Sequence, residues 1–381
     1  MSRPATALRA LAVRALARRA AAIAFALVGS LLCALAAAAS VPDSFAPVVP
    51  GLTLQFPRDY GSHPQFGIEW WYLTGWLTTA QHQTLGFQIT FFRIRPRLDE
   101  SNPSAFTPHQ LLIAHCAISD PARGRLWQGQ RIRRAGLGLA QAAVGDTQVW
   151  IDDWRLQRQD DGTGGVYHAQ VAAADFGLDL TLASRTAPML NGVGGFSQKG
   201  PGASSASYYY SQPHLQVRGS ITRGSRHDPV SGEAWLDHEW ASQYLDPAAQ
   251  GWDWLGLNLD DGSAVMAFQI RDRYGRVYWA AGTLRDAQGR TQSFGPDAIQ
   301  FTPTRRWRSP RTGALYPLAE RVRIGTREFQ LEPLLDDQEL DARLTSGAVY
   351  WEGAVTASVT QRPVGRGYLE LTGYDRPLSL R

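Results

Sequence analysis

The sequence predicts an all-β protein built from two tandem antiparallel β-barrel domains that are related by duplication. First, segments of about five to ten residues rich in Val, Ile, Tyr, Phe, Trp and Thr alternate with Gly, Asp and Pro turns, as antiparallel strands do. Second, no long stretch after residue 40 has a sustained helical period. Third, the chain repeats itself, which indicates two copies of one β unit.

The internal repeat defines the two copies. Residues of the first copy recur 181 positions later in the second: Trp71, Gly75, Phe87, Gln88 and Ile89 correspond to Trp252, Gly256, Phe268, Gln269 and Ile270. A further set recurs 134 positions later: Gly219, Pro229 and Val230 correspond to Gly353, Pro363 and Val364. We therefore predict an N-terminal domain over residues 40–248 and a C-terminal domain over residues 249–381. Antiparallel sheets of this size remove their edges by closing, and a closed barrel can enclose an apolar ligand.

The first 39 residues have the pattern of a secretory signal peptide. Residues 1–19 are basic, and an uncharged apolar run over residues 20–39 ends in small residues just before Ser40. The alternative is an uncleaved membrane anchor, but the small residues favour cleavage. We expect export to a bacterial periplasm and no transmembrane span in the mature chain. That chain keeps only Cys116, so no intramolecular disulfide is predicted.

The charge balance argues against a nucleic-acid partner. Five of the 38 basic residues lie in the first 39 positions, which leaves 33 basic residues against 34 acidic ones in the mature chain. Nucleic-acid binding depends largely on neutralising phosphates with an excess of basic side chains. We therefore expect no nucleic acid among the partners.

The strand over residues 69–77 is predicted to carry its core face on alternate residues. Strict alternation places Glu69, Trp71 and Leu73 on one face and Tyr72 on the other. In the next strand, residues 85–93, the side chains of Phe87, Ile89 and Phe91 share a face that ends in Arg93. We expect this arginine to be the partner of an inward carboxylate. The alternative interpretation is a satisfied ion pair at the mouth of the barrel.

Residues 232–240 hold the densest set of reactive side chains. On a strand, Trp235, Asp237 and Glu239 share one face, while His238 and Trp240 share the other. Two close carboxyls beside tryptophan can raise the pKa of one of them towards neutrality. We expect no charged equivalents in the second copy, and such an asymmetry favours function. The alternative is a polar strand end that leads into the inter-domain linker.

The glycine-rich segment over residues 191–200 holds Lys199, the only lysine of the chain. One interpretation is an exposed loop, and the other is a lid that places Lys199 over the barrel mouth. The segment matches neither a P-loop nor a dinucleotide fingerprint. His238 and Glu239 begin like the zinc motif H-E-x-x-H, but Ser242 stands where the second histidine is needed. We therefore predict no cofactor and no metal site.

Five long motifs together resemble one known family. They are EWWYLTGWL (residues 69–77), LGFQITFFR (85–93), NGVGGFSQKG (191–200), ASYYYSQPHL (206–215) and GEAWLDHEW (232–240). Over about residues 48–375 the chain resembles the secreted AttH-like, lipocalin-like family related to carotenoid 1,2-hydratase (hydroxyneurosporene synthase). The resemblance implies two lipocalin-like (calycin) barrels. It also implies a likeness to proteins encoded beside ABC-transporter components, which we expect as partners.

Two functions from different classes follow. The first is a periplasmic protein that binds a hydrophobic, lipid-like or isoprenoid-like ligand for an ABC-type export system. The second is an enzyme of the carotenoid 1,2-hydratase type, a hydro-lyase that adds water to an isoprenoid C=C bond; a secreted hydrolase is a third. The expected catalytic residues are Glu69, Asp237, His238 and Glu239. The expected ligand-binding residues are Trp71, Tyr72, Phe87, Arg93, Lys199, Tyr209, Trp235 and Trp240.

Overall fold

The structure is a computed structural model that describes residues 45–97, 104, 107–202, 204–243 and 245–378. Over these residues the fold is all-β, as the sequence predicts, with two short 3-10 turns at Arg58–Tyr60 and Pro296–Ala298. None of the described segments forms a helix long and apolar enough to cross a membrane. The predicted signal peptide, residues 1–39, lies outside the described residues.

The first sheet contains the strands of the N-terminal part of the chain. They are β1 (Ile68–Thr79), β2 (Thr84–Ile94), β3 (Leu111–Asp120), β4 (Arg125–Arg134), β5 (Ala140–Ala142), β6 (Gln148–Ile151), β7 (Trp154–Gln159), β8 (Val166–Ala172), β9 (Phe176–Ala183), β10 (Met189–Leu190), β11 (Phe196–Gln198), β12 (Ala206–Arg223) and β13 (Arg226–Ala241). Their order is β4-β3-β2-β1-β13-β12-β9-β8-β7-β6-β5, and β10 and β11 also pair with β12. Because β3 and β4 return against β5 and β6, the sheet is a nearly closed barrel.

The second sheet contains the strands of the C-terminal part. They are β14 (Ala249–Leu259), β15 (Ala264–Asp272), β16 (Val277–Arg285), β17 (Thr291–Phe294), β18 (Ile299–Arg308), β19 (Leu315–Ile324), β20 (Arg327–Pro333), β21 (Glu339–Ala342), β22 (Ala348–Val359) and β23 (Arg362–Leu371). Their order is β17-β16-β15-β14-β23-β22-β20-β19-β18, with β21 beside β22. Strands β15 and β16 contact β18, so this sheet also curls towards closure.

The two sheets pack within one compact unit, Phe45–Arg381. The chain leaves the first sheet at Ala241 and enters the second at Ala249. The domain boundary at residue 248 stays a prediction, because the compact unit includes both sheets.

Strand β1 buries both of its faces, which decides where the site can lie. Trp71 and Leu73 belong to the core of the first barrel together with Phe87 from β2, as alternation predicts. The opposite face contributes Tyr72 and Trp76 to a separate apolar cluster between the two sheets. A strand that is buried on both faces can therefore supply side chains to two different environments.

The strands of the two copies correspond, but residues that are equivalent in the repeat face opposite sides of their sheets. At the offset of 181 residues, β1 and β2 correspond to β14 and β15. However, Trp71 lies inside the first barrel, whereas Trp252 packs against the cluster between the sheets. The core of the second barrel instead takes Leu255 and Leu257. Because side chains alternate with a period of two, a one-residue difference in alignment inverts every face.

Candidate functional site

Strand β13 positions the reactive segment between two neighbours. It pairs with β1, where Asp237 lies opposite Tyr72, and with β12, where His238 lies opposite Tyr210. Alternation along β13 sends Asp237 and Glu239 to the side of the second sheet and His238 into the first barrel. The reactive residues therefore form two groups on opposite faces of one strand.

The first group is an inner cluster inside the first barrel, formed by His63, Glu69, Arg93, His238 and Trp240. Glu69 is its centre: its Oε1 atom lies 2.7 Å from His63 Nδ1 and 2.8 Å from His238 Nε2. Its Oε2 atom accepts a hydrogen bond of 2.8 Å from Arg93 Nε. The imidazole of His63 stacks on the indole of Trp240, with ring centroids 3.8 Å apart.

The environment of the inner cluster shifts the pKa values of its carboxyl and of its two imidazoles. Burial alone would raise the pKa of Glu69, but Arg93 and the two histidines hold it well below its usual range. Burial lowers the pKa of His238, against the opposite effect of Glu69. For His63, burial lowers the pKa, but Asp59 and Glu69 outweigh it and the net shift is upward. The expected pairing of Glu69 with Arg93 is thus present as a buried ion pair.

The second group lines a pocket between the two sheets, here called the inter-sheet pocket. Its walls are largely aromatic and most of its charged groups are carboxyls. The lining residues are Trp70, Tyr72, Thr90, Phe92, Lys199, Tyr209, Asp237, Glu239, Leu245, Trp252, Trp254, Phe268, Ile270, Tyr350, Glu352 and Glu370. Its cavity volume is about 80 Å³, which is room for several water molecules.

Asp237 is a buried carboxyl that accepts three hydrogen bonds. Ser211 Oγ and Trp235 Nε1 donate hydrogen bonds of 2.5 and 2.7 Å to its Oδ1 atom, and the Tyr209 hydroxyl donates one of 2.6 Å to Oδ2. Trp254 Nε1 in turn donates to the Tyr209 hydroxyl at 2.9 Å. Burial raises the pKa of Asp237 to about 7, although these hydrogen bonds lower it. At neutral pH this carboxyl is therefore protonated in a large fraction of the molecules.

Lys199 neutralises the neighbouring carboxylate of the pocket. Its Nζ atom lies 2.9 Å from Glu239 Oε1. The same ammonium lies 4.1 Å from the ring centroid of Phe268 and 4.8 Å from that of Tyr209. The only lysine of the chain is thus held by one carboxylate and two aromatic faces.

The glycine-rich segment over residues 191–200 packs across the second sheet. Gly192 N donates to Thr283 Oγ1 at 3.2 Å, and Trp279 Nε1 donates to the Gln198 carbonyl at 2.8 Å. These contacts hold the segment against the second sheet, and the side chain of its Lys199 lines the inter-sheet pocket.

At the offset of 134 residues Asp237 and Glu239 correspond to the uncharged Leu371 and Gly373, as we expect, but the second copy supplies carboxyls from other positions. Glu352 on β22 and Glu370 on β23 both line the inter-sheet pocket. Burial raises the pKa of Glu370 to about 7, although a hydrogen bond of 2.9 Å from Trp252 Nε1 lowers it. Burial, together with the charge of Glu370, raises the pKa of Glu352 well above its usual range. The two copies therefore build one acidic, aromatic pocket jointly.

The AttH-like family model matches residues 47–374, nearly the whole of the described chain. The chain belongs to the AttH-like family. No curated protein matches the sequence.

Solved structures place this AttH-like chain among proteins of the same architecture. The crystal structure of an AttH protein from Nitrosomonas europaea has 56% identity and a TM-score of 0.81, and the match covers 86% of this chain and 99% of that chain. Kievitone hydratase from Nectria haematococca has 18% identity and a TM-score of 0.64, over 87% of this chain and 95% of that chain. At that identity the second likeness concerns the fold alone.

The predicted catalytic residues of the AttH-like chain do not gather at one place. Asp237 and Glu239 lie in the inter-sheet pocket, whereas Glu69 and His238 lie in the inner cluster. The four residues lie in two places because β13 is a regular strand at these positions and sends neighbouring side chains to opposite faces, as alternation predicts.

The predicted ligand-binding residues divide in the same way. Four contact the pocket or its acid: Tyr72, Lys199, Tyr209 and Trp235. Four lie inside the first barrel: Trp71, Phe87, Arg93 and Trp240. The sequence interpretation missed Glu370, although its position between Leu369 and Leu371, both in the second core, places it on the opposite face. It also missed His63, which lies in an irregular segment where no alternation applies.

Proposed function

We propose that the protein is an enzyme that adds water to, or removes it from, a C=C bond of an apolar substrate in the inter-sheet pocket. The observation that carries the proposal is the Asp237 carboxyl, whose pKa burial raises to about 7 while it lines an aromatic cavity. An acid of this kind retains a proton near neutral pH and can donate it. Asp237 is therefore the proton donor of the proposed reaction.

The aromatic walls suit the charge that develops after protonation. Transfer of the Asp237 proton to one alkene carbon leaves a positive charge on the other carbon. Trp70, Tyr72, Trp252 and Trp254 line the cavity, and aromatic faces attract a cation most strongly where water is excluded. The pocket thus favours the charged intermediate over the neutral alkene.

Glu370 is the second catalytic group of the proposal. Burial raises the pKa of both carboxyls to about 7, and the charge of Asp237 adds to the shift of Glu370, so near neutral pH each group can hold or accept a proton. Ionised Glu370 accepts a proton from the attacking water, whose oxygen forms the new C–O bond. The proton and hydroxyl that reach the substrate sum to one water, and solvent returns the proton from Glu370 to Asp237.

The fold supports this proposal without deciding the reaction. Kievitone hydratase, whose name states the addition of water, shares the architecture at low identity. Fold similarity does not determine chemistry. We further propose a lipid-like or isoprenoid-like substrate, of which the cavity of about 80 Å³ accepts only the alkene end. We also propose export to the periplasm through the predicted signal peptide.

The second candidate is a binding protein for the same class of ligand that acts with an ABC-type exporter. It is favoured by the aromatic lining, which can hold an apolar molecule without any reaction. The two candidates differ in what happens to a bound alkene.

Product analysis in oxygen-labelled water separates them. Purified protein is incubated with extracted bacterial lipids and with isoprenoid alkenes, and bound and released molecules are analysed by mass spectrometry. Hydrated, labelled product supports the enzyme, and a ligand recovered unchanged supports the binding protein.

Substitution of the acid sharpens this result. Asp237→Asn should abolish turnover and leave ligand affinity within about threefold, a change of roughly 0.7 kcal/mol. Asp179→Asn, at an exposed carboxyl of β9, is the matched control and should retain activity. Turnover that persists in Asp237→Asn would contradict the assigned proton donor.

A further inference from the structure

The inner cluster brings together three side chains whose chemistry suits a metal ion. His63 Nδ1, Glu69 Oε1 and His238 Nε2 lie within 4.8 Å of one another. Two imidazole nitrogens and one carboxylate oxygen are a common ligand set of Zn²⁺ in proteins. The three residues are separated by 6 and 169 positions, so no spacing motif in the sequence brings them together.

We propose that His63, Glu69 and His238 form a binding site for one divalent transition-metal ion such as Zn²⁺. At present Glu69 Oε1 is close to one nitrogen of each imidazole, at 2.7 and 2.8 Å. A bound cation takes the place of the protons in these two contacts and is held by the same three atoms. The site is separate from the inter-sheet pocket, because Asp237 lies on the other face of β13.

Both histidines already have a partner for their remaining ring nitrogen. Asp59 Oδ1 lies 3.4 Å from His63 Nε2, and the Tyr210 hydroxyl lies 3.0 Å from His238 Nδ1. Such outer partners fix the tautomer and the orientation of metal-ligating histidines in known sites. The cluster therefore contains the supporting interactions as well as the three ligands.

The carboxylate and the rings are also held in place. Glu69 Oε2 accepts hydrogen bonds from Arg93 Nε and Ser62 Oγ at 2.8 and 3.0 Å, so the guanidinium contacts the oxygen that does not serve as ligand. The ring of His238 stacks on that of Trp71 with centroids 4.6 Å apart. This order lowers the entropy lost when an ion binds.

The ion has a route from solvent. A surface groove is bordered by His63, Asp59 and Ser62 together with Arg58 and Trp240. The side chain of His63 is 11% exposed, whereas those of Glu69 and His238 are fully buried. A metal ion can therefore enter beside His63 and keep a water ligand on the groove side, since three protein ligands leave one tetrahedral position.

Calorimetric titration of the chelator-treated, full-length mature protein with Zn²⁺ tests the site. We expect one equivalent to bind and the thermal unfolding midpoint to rise on saturation. His63→Gln should weaken binding by at least about a hundredfold, since a ligand is lost. His82→Gln, at an exposed histidine, is the control and should bind as the wild type does.

Asp59→Asn tests the outer partner of His63 in the proposed metal site. It removes no ligand but takes the charge from the partner of His63 Nε2, and should weaken Zn²⁺ binding about 10- to 100-fold. It also decides the matter if His63→Gln does not fold. Absence of stoichiometric binding to the wild type, or wild-type affinity in His63→Gln, would show that the three side chains are an ion-pair network only.

Discussion

Replacing Asp237 by Asn should make the stability of the protein less dependent on pH. The folded protein raises the pKa of this buried carboxyl from 3.8 to about 7. The folded state thus keeps a proton that the unfolded chain releases above about pH 4. The free energy of unfolding must then fall as the pH rises from about 4 through 7, and it levels off above the folded pKa.

The size of the effect follows from the two pKa values. One pKa unit corresponds to about 1.4 kcal/mol, so between pH 5 and pH 8 this group should cost the wild type about 2–3 kcal/mol of stability. Asn cannot titrate, yet its carbonyl can accept from Ser211 and Trp235 and its amide can donate to the Tyr209 hydroxyl. The variant should therefore fold and lack this part of the pH dependence.

Urea unfolding at pH 5, 6, 7 and 8 measures the difference. The free energy of unfolding of Asp237→Asn minus that of the wild type should increase by about 2–3 kcal/mol from pH 5 to pH 8. The exposed Asp179→Asn should give a flat difference. Parallel profiles for wild type and Asp237→Asn, within about 0.5 kcal/mol, would mean that Asp237 is already ionised at pH 5, and the proposed proton donor would have to be abandoned.

Further substitutions test the packing around the site. Phe87→Ala removes a fully buried ring from the first barrel and should lower the free energy of unfolding in urea by about 3–5 kcal/mol. A loss under about 1 kcal/mol would mean that the faces of β2 are reversed. Gly256→Ala would place a Cβ 2.6 Å from the Trp254 ring and 3.1 Å from the Trp235 ring, so it should lower the free energy of unfolding by about 1–3 kcal/mol and change the tryptophan fluorescence spectrum. An unchanged spectrum and stability would show that the indoles have free space. Arg271→Met leaves the buried Asp253 carboxylate without its cation and should lower the free energy of unfolding by about 3–5 kcal/mol. Arg276→Met, at an exposed ion pair, should lower it by less than about 1 kcal/mol, and equal losses would contradict the buried pairing.

Most of the fold could be predicted because alternation is a local property. Trp71, Leu73 and Phe87 share the core of the first barrel as predicted from a period of two. The pairing of Glu69 with Arg93 follows from the same alternation, since the two residues lie opposite each other in the register of β1 and β2. These features depend on neighbouring strands, whose arrangement the sequence largely reveals.

The remaining features depend on how the two sheets pack, which a period of two does not encode. Tyr72 and Trp76 are buried on the face that would be solvent-exposed in an isolated barrel. Glu370 reaches the pocket of Asp237 only because β14, β23 and β13 come together across the sheets. Long-range packing of this kind sets the environment of a carboxyl, and the environment sets its pKa.

Asp237 and His238 are adjacent on β13, and strand alternation keeps the inter-sheet pocket around the first apart from the inner cluster around the second. Asp237 is held by Tyr209, Ser211 and Trp235, and His238 by Glu69 and Tyr210, so the two side chains share no hydrogen-bond partner. A change in the charge of Asp237 therefore leaves the hydrogen bonds of the inner cluster intact. The proposed acid can lose and regain its proton during turnover without breaking a hydrogen bond of the inner cluster. Because side chains alternate between the two faces of a strand, a strand buried on both faces can hold the proposed acid on one face and the inner cluster on the other.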